Sequence, residues 1–271
     1  MTYCDVHVHT DASSDSKTKL DDQIARAVRM GMKYLCITDH QDYDYPEWYC
    51  TYQINENADI GAYLSDLQEA RERWKDRITL LCGIELGLQP HLAPKLEALY
   101  RDFDFDMTIG STHLYEGRDT EDQSLYEGRS KEASIRAYFE AELENLRVCH
   151  CWDTVGHLDY VLRDIPGKNE DFSYEKYADI IDELLKLIIS RGKAMELNTK
   201  SLVVGMRASS PDLDVFRRYR ELGGRLVTLG SDAHFPERIG ACFDIAADIL
   251  KEAGFSEYCV FRKHEPLFLP L

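Results

Sequence analysis

The 271-residue chain carries 32 Lys and Arg against 49 Asp and Glu, a net charge of −17, which excludes non-specific attraction to nucleic-acid phosphates or an anionic membrane. A hydrophobic content of 44% with 11% aromatics excludes intrinsic disorder, and no apolar run approaches the ~20 residues of a spanning helix. The length suits one large domain, taken as residues 1–271, and the N-terminus has no basic stretch leading into an apolar one, so a cytoplasmic protein is the expectation.

Along the chain, short β-branched or apolar runs alternate with segments of helical spacing, the pattern of repeated βα units around a parallel sheet. Residues 3–9 read as the first strand, and Leu20, Ile24, Ala27 and Val28 mark a helix stopping at Gly31. Strands follow at 33–38, 78–85, 106–111, 153–158, 194–198 and 226–231, with a weaker eighth at 258–262. Another helix runs through Tyr177, Ile180, Ile181, Leu184, Leu185 and Ile188 to Gly192. Residues 41–59, with Tyr43, Tyr45, Trp48, Tyr49 and Tyr52, and residues 114–130 read as long surface loops. The aromatic loop would either lie over the organic half of a ligand or cap a satellite hydrophobic cluster. Of the eight cysteines, Cys4, Cys36, Cys82 and Cys259 sit in apolar runs and read as buried free thiols. Cys149-His150-Cys151 lacks the second ligand pair of a zinc finger.

His7 and His9 stand two apart in an alternating strand, so both imidazoles leave the same face roughly 6–7 Å apart, either as pocket residues or as joint ligands of a metal. The remaining strands favour the second reading as a set. His40, Glu85, His113, His157, Asp232 and His234 each end a strand or begin the loop after it. In a parallel barrel those ends share one rim, where active sites lie. Six of the nine histidines converge there, while His91, His150 and His264 read as surface residues. In isolation His157 also reads as a core histidine, and Asp15 as a turn or helix-cap residue.

His7-Val8-His9-Thr10, Thr38-Asp39-His40, Gly83-Ile84-Glu85, Ser111-Thr112-His113, Gly156-His157-Leu158-Asp159 and Ser231-Asp232-Ala233-His234 resemble the motif series of the polymerase and histidinol phosphatase (PHP) superfamily over almost the whole chain. Within it the loops Asp42-Tyr43-Asp44-Tyr45-Pro46 and residues 126–132, with the tail Phe261-Arg262-Lys263-His264, resemble the histidinol-phosphate phosphatases. The resemblance implies an α/β fold, a distorted (β/α)7 TIM-like barrel, with three divalent ions drawn from zinc, manganese or iron. His7, His9, Glu85 and Asp232 would hold the first ion, with Glu85 bridging to a second on His113 and His157. Asp15, His40 and His234 would hold the third. Six positive charges less three from Asp15, Glu85 and Asp232 leave about +3 on the rim, which would draw in a phosphate dianion.

The implied activity is hydrolysis of L-histidinol phosphate to L-histidinol and phosphate, by hydroxide generated at a bridged metal pair. Another small phosphomonoester or a nucleotide is the alternative substrate. Glu85, Asp232 and His234 are the candidate catalytic residues, the last two as proton donors to the leaving alkoxide. Arg163 matches a family arginine for phosphate. The family's Asn-Thr-small-Gly stretch reads here Asn198-Thr199-Lys200-Ser201, through to Gly205-Met206-Arg207, which leaves Lys200 or Arg207 for a second contact. The expected partner is a small-molecule phosphate ester, with neither nucleic acid nor membrane. A C–N hydrolase of amidohydrolase type begins from the same His-x-His strand but lacks its strand-end lysine here. A barrel with purely structural metals would keep no open coordination position.

Overall fold

The computed structural model of the protein describes residues 3–46 and 59–271. Its strands are β1 (Tyr34–Ile37), β2 (His40–Gln41), β3 (Thr79–Gly87), β4 (Met107–Ser111), β5 (Leu114–Tyr115), β6 (Arg118–Asp119), β7 (Thr154–Val155), β8 (Ala194–Asn198), β9 (Val227–Gly230), β10 (Glu257–Arg262) and β11 (Glu265–Pro270). Its helices are α1 (Leu20–Met30), α2 (Ile60–Trp74), α3 (Ala93–Asp102), α4 (Lys131–Val148), α5 (Ala178–Ser190), α6 (Lys200–Val203), α7 (Leu213–Glu221) and α8 (Phe243–Glu252).

Local chemistry sets the helix ends. Gly31 stops α1 at φ 77°, its N–H donating to Ala27 and Val28 carbonyls. Asp59, Ser130 and Asp212 cap α2, α4 and α7 by accepting backbone N–H groups of the first turn. The apolar stripe Ile180, Ile181, Leu184, Leu185 and Ile188 buries one face of α5.

Parallel pairing runs β1-β3-β4-β7-β8-β9, with β2 also on β3. The N-terminal run bonds to both ends of this order: Cys36 N–H donates to Asp5 O at 2.9 Å and Thr38 N–H to Val8 O at 2.9 Å on one side, and Val6 N–H to Leu229 O at 3.1 Å and His9 N–H to Ala233 O at 2.9 Å on the other. Seven staves thus close into the expected distorted barrel. Residues 3–9 nonetheless do not form the regular strand expected of them, and carry only the isolated bridges Asp5–Leu35 and Val8–Ala233. Side chains replace ladder partners there: His7 N–H donates to Asp5 Oδ1 at 3.3 Å and Val8 N–H to Thr38 Oγ1 at 3.1 Å.

Two further expectations change. The run 258–262 is β10, but it pairs antiparallel with β11 outside the parallel ring, because Lys263 and His264, at φ 53° and 63°, make a two-residue hairpin turn. Residues 114–130 are not simply a surface loop: β5 and β6 form a hairpin around Glu116 and Gly117, both at positive φ, and Leu114, Tyr115, Leu125 and Tyr126 are buried. Trp48, Tyr49 and Tyr52 of the aromatic loop lie outside the described residues. Cys4, Cys36, Cys82 and Cys259 are buried free thiols, as are Cys149 and Cys151. His91 is exposed, whereas His264 is only partly so, since its Nδ1 reaches the buried Asp153 Oδ2 at 2.8 Å. Among the described residues no helix is long and apolar enough to cross a membrane.

Candidate metal centre and phosphate pocket

The parallel strands end on one rim, and Glu85, near the end of β3 and paired in register with His40 of β2, projects into its middle. Its carboxylate stands among five imidazoles. Oε2 lies 3.1 Å from His7 Nε2, 3.5 Å from His9 Nε2 and 3.0 Å from His40 Nδ1. Oε1 lies 3.2 Å from His113 Nε2 and 3.1 Å from His157 Nε2. Asp232 Oδ1 is 3.5 Å from His9 Nε2 and from His234 Nδ1, while Asp15 Oδ2 faces His40 and is hydrogen-bonded to His234. Every sequence-predicted metal ligand therefore enters one cluster. Compact groups able to share an ion include His7, His9 and Glu85; Glu85, His113 and His157; and His9, His40 and His234.

The residues fit divalent ions on chemical grounds. His7 Nε2, His9 Nε2, His40 Nδ1 and Glu85 Oε2 are buried without a hydrogen-bond partner, an arrangement that costs free energy unless a cation fills the space they converge on. Their outer nitrogens are tied in the manner of metal-ligating histidines. His7 Nδ1 pairs with Glu196 Oε1 at 2.7 Å, His113 Nδ1 with Asp42 Oδ1 at 2.6 Å, and His234 Nδ1 with the Asp232 carbonyl at 3.0 Å. Imidazole and carboxylate donors in this mixture suit zinc, manganese or iron.

Burial and mutual charge split the titrating groups. Burial, with His40 and His234 alongside, holds His9 well below the ordinary histidine value, and burial takes His157 down to about 4. Burial opposes the charged form of His113 too, but Asp42 and Glu85 outweigh it and lift it to about 10. Glu85 stays well below the carboxylate range despite burial, because His7, His40 and His113 surround it.

Sequence reasoning did not single out Glu196, Asp42, Asn198, Asp119 or Tyr160. Glu196 accepts from His7, from the His157 backbone N–H at 2.8 Å and from Asn198 Nδ2 at 3.1 Å. The signal available was a lone acid in the apolar strand Ala194–Asn198, facing the same way as Ala194 and Asn198. Asp39, Thr10 and Ser13 form another buried support, with Thr10 N–H and Ser13 Oγ donating to Asp39 Oδ1 at 2.6 and 2.7 Å.

Beside the cluster, Arg163 Nη1 and Lys200 Nζ both reach Asp232, at 3.0 and 2.9 Å, and Arg163 Nη2 donates to Asn198 Oδ1 at 2.8 Å. Arg207 stands apart: its guanidinium donates to the Glu170 carbonyl at 2.6 Å and it does not line the cavity. Of the two candidates for a second contact, Lys200 lines the cavity and Arg207 does not. Tyr45, Tyr160, Asp119 and Asp42 complete the lining with His40, His113 and His157. Asp119 is pushed up to about 6 by burial.

A parallel barrel whose rim gathers six imidazoles and the carboxylates of Asp15 and Asp232 around Glu85 has the donor set of a PHP centre, and the chain belongs to the PHP domain family, whose model matches residues 5–200. Within that family it is a phosphoesterase close to the histidinol-phosphatases. A "Probable histidinol-phosphatase" of Clostridium acetobutylicum is 31% identical over 88% of this chain and 89% of its own length. The "Histidinol-phosphatase" of Lactococcus lactis is 27% identical over 96% of this chain and 95% of its own. The crystal structure of a Lactococcus lactis histidinol phosphate phosphatase complexed with zinc, L-histidinol and phosphate has a TM-score of 0.87 at 25% identity, covering 97% of this chain and 98% of that one.

Proposed function

We propose that the protein hydrolyses L-histidinol phosphate to L-histidinol and phosphate, as a metal-dependent phosphomonoesterase with up to three divalent ions. The observation that carries this is the Glu85 carboxylate, held among five buried imidazoles beside Arg163 and Lys200, in a chain of the PHP family 31% identical to a histidinol-phosphatase. His7, His9, Glu85 and Asp232 would hold one ion, Glu85, His113 and His157 a second, and Asp15, His40 and His234 a third. When bound, such ions polarise phosphoryl oxygens and lower the pKa of a coordinated water toward neutrality.

The remaining chemistry belongs to side chains. Arg163 is fixed by Asp232 and Asn198 and is positioned to take a phosphate oxygen in bidentate fashion, while Lys200, half-exposed, offers a point charge. Burial opposes the Asp232 carboxylate, yet Lys200, His7 and Arg163 keep it ionised. Its place beside the ligand cluster, with Oδ1 3.5 Å from His9 Nε2, makes it the candidate to take the proton of the attacking water and return it to the leaving alkoxide. His234 Nε2 is already engaged by Asp15, which favours Asp232 over His234 for that transfer.

The same reading takes residues 1–271 as one PHP-type barrel domain, supported by the single contiguous core running from Tyr3 to Phe261. The free buried thiols fit a reducing, cytoplasmic setting. The test is phosphate release by the purified, metal-restored protein. Turnover of L-histidinol phosphate should exceed that of generic phosphomonoesters by orders of magnitude in kcat/KM. Uniformly feeble rates would instead favour another small phosphomonoester or a nucleotide, the reading that Lys200 in the unusual 198–207 segment supports.

A further inference from the structure

Two depressions open on the rim, and they meet. The rim cavity shares Asp15, Lys200 and Asp232 with a neighbouring groove of about 280 Å³, whose remaining lining is Val203, Val204, Ser231, His234, Phe235 and Arg238. Val203 ends α6 and Val204 follows it, while Phe235 comes directly after the proposed ligand His234. Outside the shared residues the rim cavity presents two carboxylates, three imidazoles, a guanidinium and two tyrosine rings. The groove's own residues include no carboxylate and a single permanent cation, Arg238. Val204 is 48% exposed and Phe235 57%, and these are two of the six large hydrophobic side chains left exposed among the described residues. Apolar side chains exposed singly are ordinary, but two that converge on one groove beside a phosphoesterase centre mark a binding surface.

An uncharged apolar group suits one depression and not the other. Against the rim cavity it would strip water from carboxylates and imidazoles and return no hydrogen bond. In the groove it would cover Val203, Val204 and Phe235 and remove apolar surface from water. Space suffices, since a cavity of ~150 Å³ already accepts benzene. Lys200 belongs to both linings, so a phosphate paired with its ammonium borders the groove as well as the imidazole cluster.

We infer that the groove between Val203, Val204 and Phe235 is a second subsite for the organic group, through which the centre hydrolyses a further substrate class, phosphate monoesters of uncharged apolar alcohols. This rests on the phosphoesterase reading of the rim. In the overall step a P–O bond forms to the oxygen of water, the P–O bond to the alcohol breaks, and the departing oxygen takes up a proton from that water.

The experiment compares 2-phenylethyl phosphate, glycerol 1-phosphate and L-histidinol phosphate on the metal-loaded full-length protein and on Phe235→Ala, a substitution at an exposed position. The unsubstituted protein should prefer the phenylethyl ester to the glycerol ester by about 10-fold in kcat/KM. Phe235→Ala should lose about that factor on the phenylethyl ester, mostly in KM, and change less than about twofold on the other two. Calorimetry with 3-phenylpropylphosphonate, in which a methylene replaces the ester oxygen, should show the same loss of about 10-fold in Kd without any turnover. Equal handling of the phenylethyl and glycerol esters by the unsubstituted protein overturns the inference. Equal losses on the phenylethyl ester and histidinol phosphate, the mark of a merely structural role, overturn it too, as does an unchanged Kd for the phosphonate. Failure of the unsubstituted protein to release phosphate from any of the three esters is the separate result that removes the phosphoesterase reading, and phosphonate binding then still tests the groove.

Discussion

At the scale of single residues, the centre depends on side chains that do not touch the space between the imidazoles. Glu196 holds His7 by Nδ1 and at the same time receives the His157 backbone N–H, so one carboxylate sets the orientation of two proposed ligands. Glu196→Gln keeps the shape but places an N–H where an acceptor is needed. It should lower metal affinity about 10–100-fold, read by competition with a chelator, while the circular dichroism spectrum stays unchanged. Glu142 shows a different balance. It is buried on α4, and burial pushes its carboxyl up to about 8 against the opposing pull of a Thr112 hydrogen bond and of His113. The folded protein thus keeps a proton that the unfolded chain releases near 4.5. Stability contributed by the neutral acid is complete below that value and is lost as pH rises toward 8. Glu142→Gln should flatten this fall and stabilise the protein at pH 8 by on the order of 3 kcal/mol, measured as denaturant midpoints across pH 5–9. A pH profile parallel to that of the unsubstituted protein would contradict the assignment.

At the scale of elements, the rim works because strand ends approach closely enough for their side chains to meet. Gly230 closes β9 where a Cβ would collide with Glu196 Oε1 and lie 2.6 Å from His7 Cβ. Gly83, two residues before Glu85 in β3, has a would-be Cβ 2.6 Å from Cys36 Sγ and 2.8 Å from Thr38 Cγ2, and no imidazole is among its three nearest neighbours. Gly230→Ala and Gly83→Ala should each destabilise by about 1–3 kcal/mol through overpacking. Only Gly230→Ala should also lower bound metal, by displacing His7 and Glu196. Paired melting curves and elemental analysis check this, and equal metal content in the two variants would show that β9 does not set the cluster. α4 clamps the β4 end from behind: Tyr138 donates to the Thr112 carbonyl at 3.0 Å and Asn145 Nδ2 to Thr112 Oγ1 at 2.7 Å, which fixes the residue before His113.

At the scale of the whole molecule, a chain of net charge −17 gathers six imidazoles into one cluster in which His7 Nε2, His9 Nε2, His40 Nδ1 and Glu85 Oε2 are buried without a hydrogen-bond partner. Bound cations are therefore coupled to folding, since the unfolded chain offers no such site. With free metal at about 1,000 times Kd the coupling contributes about 4 kcal/mol. Chelation should then lower Tm by on the order of 10 °C for a chain of this size, reversibly on metal readdition. An unchanged calorimetric transition after metal removal would argue against the coupling. A larger cavity, about 510 Å³, opens away from the rim between the end of α5, α7, the turn after α8 and the β10–β11 hairpin. It holds no imidazole, so size alone does not locate the chemistry.

The sequence by itself determined the periodic βα order and the candidates His7, His9, His40, Glu85, His113, His157, Asp232 and His234 at or just past strand ends, because alternation and strand termination are local properties that short-range spacing records, while Asp15 and the grouping into a ligand set came from the resemblance to the PHP motif series. His7 and His9 share a face for the same reason. Tertiary structure alone decided that residues 3–9 close the ring by backbone hydrogen bonds to both end strands with side-chain partners at His7 and Val8, that β5 and β6 form a hairpin ending at Asp119, and that Lys200 rather than Arg207 reaches Asp232. Each of these depends on which distant groups lie within hydrogen-bonding reach. Glu196 and Asp119 escaped notice because an isolated acid acquires its role only from the neighbours that three-dimensional packing supplies, and those neighbours are dozens of residues away along the chain.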